Sequence, residues 1–172
     1  MKHPIIRPAD RHDVVGILDI VNHSILYTTA NYNYDPQTID EQLKWFDDKL
    51  QKGFPVFVAS DGNKILGFST YGTFRERTGY RFTVEHSVYV LDGHSGNGIG
   101  RMLLEKLIQK AKEQGYHNMI GGIDASNAES IAFHRRFGFT ECGVIKQAAY
   151  KFDRWLDLLF MQLILEESAD IK

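Results

Sequence analysis

Val88-Tyr89-Val90-Leu91-Asp92-Gly93-His94-Ser95-Gly96-Asn97-Gly98-Ile99-Gly100-Arg101 is the stretch on which the reading of this chain turns. It begins as a β-branched, aromatic strand. It ends where Ile99, Leu103, Leu107 and Ala111 start an apolar stripe at helical spacing, with Leu104 and Ile108 beside them. Between strand and helix, four of the fifteen glycines fall within residues 93–100. Closely spaced glycines let the backbone turn sharply and approach a ligand. The free N–H groups and dipole end of a helix start then form an anion site, and Arg101 adds a positive charge there. A phosphate-bearing ligand suits this turn, whereas flexibility alone explains poorly why glycines open a strongly amphipathic helix. The dinucleotide spacing G-x-G-x-x-G fails because Arg101 follows Gly100. The nucleotide P-loop fails because Gly100-Arg101-Met102 stands where Gly-Lys-Ser/Thr is needed.

Outward from this turn the chain alternates short strands and longer helices. Upstream, residues 5–7 read as a strand and residues 13–26 as a helix. Residues 38–51 form a second helix with Thr38 and Glu41 as its capping box. Residues 55–60 and 64–71 read as strands joined by the hairpin signal Asp61-Gly62-Asn63, and residues 81–90 as a third strand. Downstream, the helix of residues 99–114 stops at Gly115. A strand over 118–123 follows, then a helix over 126–137 with Ser126 and Glu129 as its expected capping box. Residues 139–145 and 156–165 close the chain as strands. The order β-α-α-β-β-β-α-β-α-β-β predicts one mixed α/β (α+β) domain over residues 1–172. Three consecutive strands ahead of the first crossover exclude a doubly wound sheet.

The 172 residues carry 20 Lys and Arg against 22 Asp and Glu, a net charge of −2 that gives no field for nucleic acid or an anionic membrane. The hydrophobic fraction of 43% is that of a globular chain. No stretch approaches the ~20 apolar residues of a membrane span, and residues 1–15 lack a signal-peptide core, so a cytoplasmic protein is expected. One cysteine, Cys142, excludes an intramolecular disulfide; its apolar surroundings suggest a buried, inert thiol. The seven histidines show no ligand spacing, so no metal is expected.

The window Ser95-Gly96-Asn97-Gly98-Ile99-Gly100 resembles the pyrophosphate loop of the GCN5-related N-acetyltransferase (GNAT) superfamily, Gln/Arg-x-x-Gly-x-Gly/Ala, with Ser95 in the first position. Asn127 opening a helix that ends in Phe133-His134-Arg135-Arg136-Phe137-Gly138-Phe139 resembles a second superfamily motif, with His134 where a Tyr is frequent. Four further stretches are similar to the phosphinothricin/methionine sulfone acetyltransferase branch. They are Ile20-Val21-Asn22-His23, Asn31-Tyr32 with Pro36-Gln37-Thr38, Thr83-Val84-Glu85, and Ala148-Ala149-Tyr150-Lys151-Phe152 with Trp155 and Asp157. The resemblance spans nearly the whole chain. It implies a mostly antiparallel central sheet, flanked by helices and splayed at the acetyl-CoA strand. It further implies acetyl-CoA as cosubstrate, a small amino acid as acceptor, and a homodimer with a loop over residues 150–155 near the partner's site.

On the residues alone, Glu85 faces either solvent or a site; the resemblance makes it the base. His134 is either a surface histidine paired with Arg135 or Glu141, or, by the resemblance, a second catalytic group. Asn127 is a good helix cap and by the resemblance also reaches the pantetheine arm, with Ser130 nearby. Val88, Tyr89, Val90, Ser95, Gly96, Asn97, Gly98, Ile99, Gly100 and Arg101 would hold the cosubstrate, with the N–H of Val88 or Val90 as oxyanion donor. Arg75 and Arg77 either fork onto a substrate carboxylate or form a solvated loop pair. Tyr32 and Phe74 pack on the substrate or belong to the core, and the resemblance adds Thr83 and Tyr150 to the substrate set. Two other functions fit less well. An acetyltransferase for a polyamine or protein N-terminus would want an acidic cleft. A non-catalytic acetyl-CoA sensor would not need both Glu85 and His134.

Overall fold

A computed structural model describes residues 4–62 and 64–165. Its elements follow the predicted order: β1 (Ile5–Pro8), α1 (Val14–Tyr27), α2 (Ile39–Gln51), β2 (Val56–Asp61), β3 (Lys64–Thr73), β4 (Thr83–Val90), α3 (Ile99–Glu113), β5 (Asn118–Asp124), α4 (Ala128–Arg135), β6 (Thr140–Lys151) and β7 (Arg154–Ile164). The seven strands form one sheet in the order β1-β2-β3-β4-β5-β7-β6. Every neighbouring pair is antiparallel except β4 with β5.

Each sheet face has its own core. On one, Leu103, Leu104, Leu107 and Ala111 of α3 pack on Leu66, Tyr71, Val84, Met119 and Met161. Each fully buried leucine contributes roughly 1.5–3 kcal/mol. On the other, Val14, Ile17, Val21 and Ile25 of α1 and Phe46 of α2 cover Val56, Val58, Ile65 and Phe68. The capping box at α2 forms as expected, Thr38 accepting from the Glu41 N–H while the Glu41 carboxylate accepts from that of Thr38. Sheet and helices are thus bound together on both sides, and among the described residues the shortest ladder is that between β4 and β5.

Four local expectations need correction. The cap of α4 is Asn127, whose side chain accepts from Ser130 N, while Ser126 instead bonds Asp124. Strand β6 runs on to Lys151, and residues 150–155 are a tight hairpin end rather than a loop, turning on Phe152 and Asp153 at φ 53° and 56°. Such a two-residue turn with both φ positive is the favoured hairpin link. Cys142 is exposed, because β6 is the sheet edge and is exposed along most of its length. Of the turn Asp61-Gly62-Asn63, Asn63 lies outside the described residues.

Candidate active site

The parallel seam is short. Thr83 pairs with Asn118, Val84 with Met119 and Glu85 with Ile120, and there the ladder ends. Beyond it β4 continues to Val90 beside β3, and β5 to Asp124 beside β7. The strands part, and a cleft of about 380 Å³ opens between them. Leu91 N donates to Leu66 O in β3, so by strand alternation the N–H groups of Val90 and Val88 point the other way, toward the opening.

Two adjacent glycines of β5 let side chains into this opening from opposite faces. A Cβ on Gly122 would stand 3.1 Å from Glu85 Oε1; one on Gly121 would stand 3.1 Å from His86 Nε2 and 3.5 Å from His134 Nε2. Glu85 therefore lies on one face of the sheet, and the two imidazoles on the other. Burial pushes the Glu85 carboxyl above the ordinary range, against the opposing pull of Arg75. A carboxyl raised in this way is a stronger proton acceptor than an ordinary one.

His134 is buried, and its proton position follows from its contacts. Nδ1 lies 2.7 Å from Ser130 O, and a carbonyl only accepts, so Nδ1 carries the hydrogen and Nε2 presents a lone pair. Burial holds this imidazole below its ordinary value, with the Ser130 bond opposing. Arg135 pairs with Glu141, which leaves His134 free of the surface pairing considered for it. The His86 ring lies tilted at 5.1 Å from His134 and 5.4 Å from Phe139, and burial with the His134 neighbour lowers it to about 3. Among the described residues it has no hydrogen-bond partner at either nitrogen.

On the histidine side, Asn127, Ser130 and Phe133 line the cleft. Asn127 Oδ1 is committed to the cap at 3.0 Å from Ser130 N. Gly100 sits against Val90 and Phe133, where a Cβ would come within 3.5 Å and 3.6 Å. Gly93, Gly96 and Gly98 have φ of 74°, 79° and 79°, a region that disfavours side chains, and open space lies over each. Ser95, Asn97 and Arg101 are exposed, and Arg101 pairs with Glu105 at 2.8 Å; Ile99 is buried in the core, so only its backbone can serve a ligand. Free α3 amides, left-handed glycines and a parted seam together suit a diphosphate followed by a narrow arm.

The substrate candidates divide. Tyr32 lines the cleft with Glu85, His86, Val88, Tyr89 and Asp124. Phe74 is edge-on to Phe160 at 6.2 Å, and Phe160 borders Gly122, so Phe74 lies just behind the Glu85 face. Arg75 stacks over Phe74 at 5.2 Å and acts on Glu85 electrostatically, but with Arg77 it borders a separate depression shared with Glu76 and Tyr80. Thr83 is half-buried at the paired end of β4. Tyr150 lines another cavity, of about 260 Å³, with Tyr34 and Phe152. Sequence reasoning missed Gly121, Gly122, His86 and Asp124. The paired glycines inside a strand were the available signal, since such glycines mark a close approach.

Known proteins resemble the chain over nearly its whole length. The acetyltransferase (GNAT) family profile matches residues 19–139. An L-methionine sulfoximine/L-methionine sulfone acetyltransferase of Pseudomonas aeruginosa is 46% identical over 94% of this chain and 94% of its own. A phosphinothricin N-acetyltransferase of Streptomyces viridochromogenes is 35% identical over 95% of this chain and 89% of its own. The solved structure of a putative acetyltransferase from Salmonella typhimurium with its cofactor acetyl-CoA superposes with a TM-score of 0.95. It is 42% identical and covers 99% of each chain.

Proposed function

The chain belongs to the acetyltransferase (GNAT) family, and on that premise we propose that it acetylates the α-amino group of a small amino acid by direct attack within a ternary complex with acetyl-CoA. It is an amino-acid N-acetyltransferase whose acceptors are of the methionine sulfone, methionine sulfoximine or phosphinothricin type. The observation that carries this reading is the parted β4–β5 seam with a raised carboxyl, Glu85, folded over Gly122 at its edge.

An α-ammonium, with a pKa of about 8 even in peptides, is largely protonated at neutral pH and must lose a proton before it can attack. Glu85 takes that proton, directly or through a water, from the substrate side of the sheet. Acetyl-CoA supplies the activated thioester. The backbone N–H groups of Val88 and Val90, turned toward the opening, are the donors for its carbonyl oxygen as charge develops there. His134 faces the cofactor side and holds or passes a proton at Nε2. The residue 93–101 turn grips the diphosphate through backbone N–H groups, Asn127 and Ser130 orient the arm, and Arg75 with Arg77 draws the substrate carboxylate. The protein works as a homodimer, a reading supported by the exposed apolar side chains of the β6–β7 hairpin.

The test is direct. Purified protein is mixed with acetyl-CoA and a panel of amines, and release of the CoA thiol is followed. Turnover is expected on methionine sulfone and phosphinothricin. Turnover on spermidine or a peptide N-terminus, with silence on both amino acids, would overturn the substrate assignment. Binding of acetyl-CoA without turnover on any amine would leave a sensor.

A further inference from the structure

On the Glu85 face the cleft contains two buried polar atoms for which the described fold provides no hydrogen-bond partner, Tyr32 Oη and Asp124 Oδ2. Asp124 is only 5% exposed. It is the last residue of β5, two positions beyond Gly122, and so shares the face of Glu85 at roughly 6.5–7 Å along the strand. Its other oxygen, Oδ1, is occupied, accepting from Ser126 N at 2.9 Å and Ser126 Oγ at 2.8 Å. Arg154 stands 3.9 Å from Oδ2 on a half-exposed side chain, beyond hydrogen-bond reach. The Thr29 side chain also acts on this carboxylate, but among the described residues no donor meets Oδ2 at hydrogen-bond geometry, and a buried carboxylate oxygen facing a cavity is costly until something donates to it.

We propose that Asp124 Oδ2, with Tyr32 Oη beside it, is the seat of the substrate's ammonium group, which makes Asp124 a specificity-determining residue of the cleft. The inference rests on the amino-acid reading above. An ammonium brings three N–H donors and a positive charge. One donor satisfies the carboxylate, a second the phenol oxygen, and the third points back along β5 toward Glu85. The same negative charge repels the substrate's α-carboxylate, so the amino acid enters in one orientation. The two acids then divide the work. Asp124, although raised by burial, is held below the ordinary range by Thr29, Ser126 and Arg154 and stays ionised. Glu85, raised by burial, is the one that accepts the proton. Two carboxyls driven apart by their surroundings are a recurring basis for such a division.

The test measures binding rather than turnover. CoA-saturated protein is titrated calorimetrically with L-methionine sulfone and with its analogue lacking the amino group, 4-(methylsulfonyl)butanoate. Asp124→Asn keeps the oxygen that Ser126 uses but removes the charge. It should weaken the amino acid roughly ten- to a hundredfold and leave the des-amino analogue within about twofold, the loss expected when a hydrogen bond to a charged group is broken. Tyr32→Phe should show a smaller loss of the same kind. Unchanged amino-acid affinity in Asp124→Asn, or an equal loss for both ligands, overturns the proposal. Wild-type protein that prefers the amine but acetylates nothing would sink the reaction and spare this site. Turnover on methionine sulfone with indifferent Asp124→Asn binding would do the reverse.

Discussion

Glu85 is placed by the alternation of an interior strand, β4, and the absence of a side chain at Gly122 makes room for it. Its surroundings set two expectations of opposite sign. As a base it works only when ionised, so wild-type kcat/KM should rise with pH through its raised pKa. Glu85→Gln should flatten that limb and lower kcat/KM by roughly 10²–10⁴. Folding responds the other way. The native protein holds this proton more tightly than the unfolded chain, where the ordinary value is 4.5. Stability contributed by Glu85 is therefore full below that value and falls as pH rises through the native one. Glu85→Gln should then melt higher than wild type at neutral pH, as thermal scans at pH 4 and pH 7 would show; a lower melting point at pH 7 would contradict the burial argument. Gly122→Ala tests the same contact from the other strand. The new methyl is crowded by the tip of a flexible carboxylate at 3.1 Å and meets Leu158 and Phe160 at 3.4 Å and 3.9 Å, ordinary contact distances, so the fold should survive. Displacing the base should still cost activity, up to about a hundredfold for a shift of an ångström.

Among the elements, the segment between α1 and α2 that carries Tyr32 has no regular structure, yet three side chains fix it. Lys151 Nζ, from the end of β6, donates to Thr28 O at 2.8 Å and to Asn31 O. Tyr34 donates to Tyr150 O, and Tyr89 to Ala30 O at 3.3 Å. Lys151→Met keeps the stem but removes the ammonium, so two carbonyls lose their donor. A loss of about 1–3 kcal/mol is expected, together with a raised KM for the amino acid and an unchanged Kd for acetyl-CoA. An equal loss of affinity for both ligands would mean that the clamp holds the whole cleft instead. The same hairpin shows where sequence patterns stop informing. Helices α1 to α3 and strands β2 to β4 were readable because each buries a periodic face. Within β6 the register with β7 shifts between Ile145 and Ala149, and Gln147 takes a positive φ of 52°, so Lys146-Gln147-Ala148 breaks the alternation and the pattern ends the strand at residue 145. Its turn uses Phe152 and Asp153 at positive φ rather than Gly or Asn, and thus gave no local signal. The site divides similarly. Glu85, Asn127 and His134 sit in recognisable motifs, whereas Asp124, His86 and the paired glycines gain meaning only from the β4–β5 register. Nothing local in the sequence specifies that register.

At the scale of the molecule, the sheet ends on β1 at one side and on the twelve-residue β6 at the other. A long exposed edge strand is a surface that proteins usually charge, cover or pair. Here Val144 is 43% exposed, Ile145 50%, Tyr150 43%, Phe152 51% and Trp155 59%, all on the β6–β7 hairpin. Lys146 adds a charge, but Asp157 holds it at 2.8 Å, so the edge carries little net repulsion. Apolar side chains gathered in this way mark an interaction surface. In the homodimer proposed above, a second copy of the same chain would satisfy it with closed two-fold symmetry, each hairpin meeting its equivalent. Light scattering on the purified protein should therefore give twice the 19.7 kDa chain mass. Ile145→Lys with Trp155→Glu should halve it, because the cleft-lining residues lie elsewhere and the fold does not need these side chains. Calorimetric affinity for acetyl-CoA should remain, since the residue 93–101 turn and Asn127 belong to one chain. The substrate KM is the informative quantity. The hairpin clamps the Tyr32 segment through Lys151 and Tyr150, so a hairpin freed from its partner should loosen that clamp and raise KM for the amino acid several-fold. A wild-type mass of a single chain at micromolar concentration would remove the dimer, and with it the steadying of the clamp by a partner subunit.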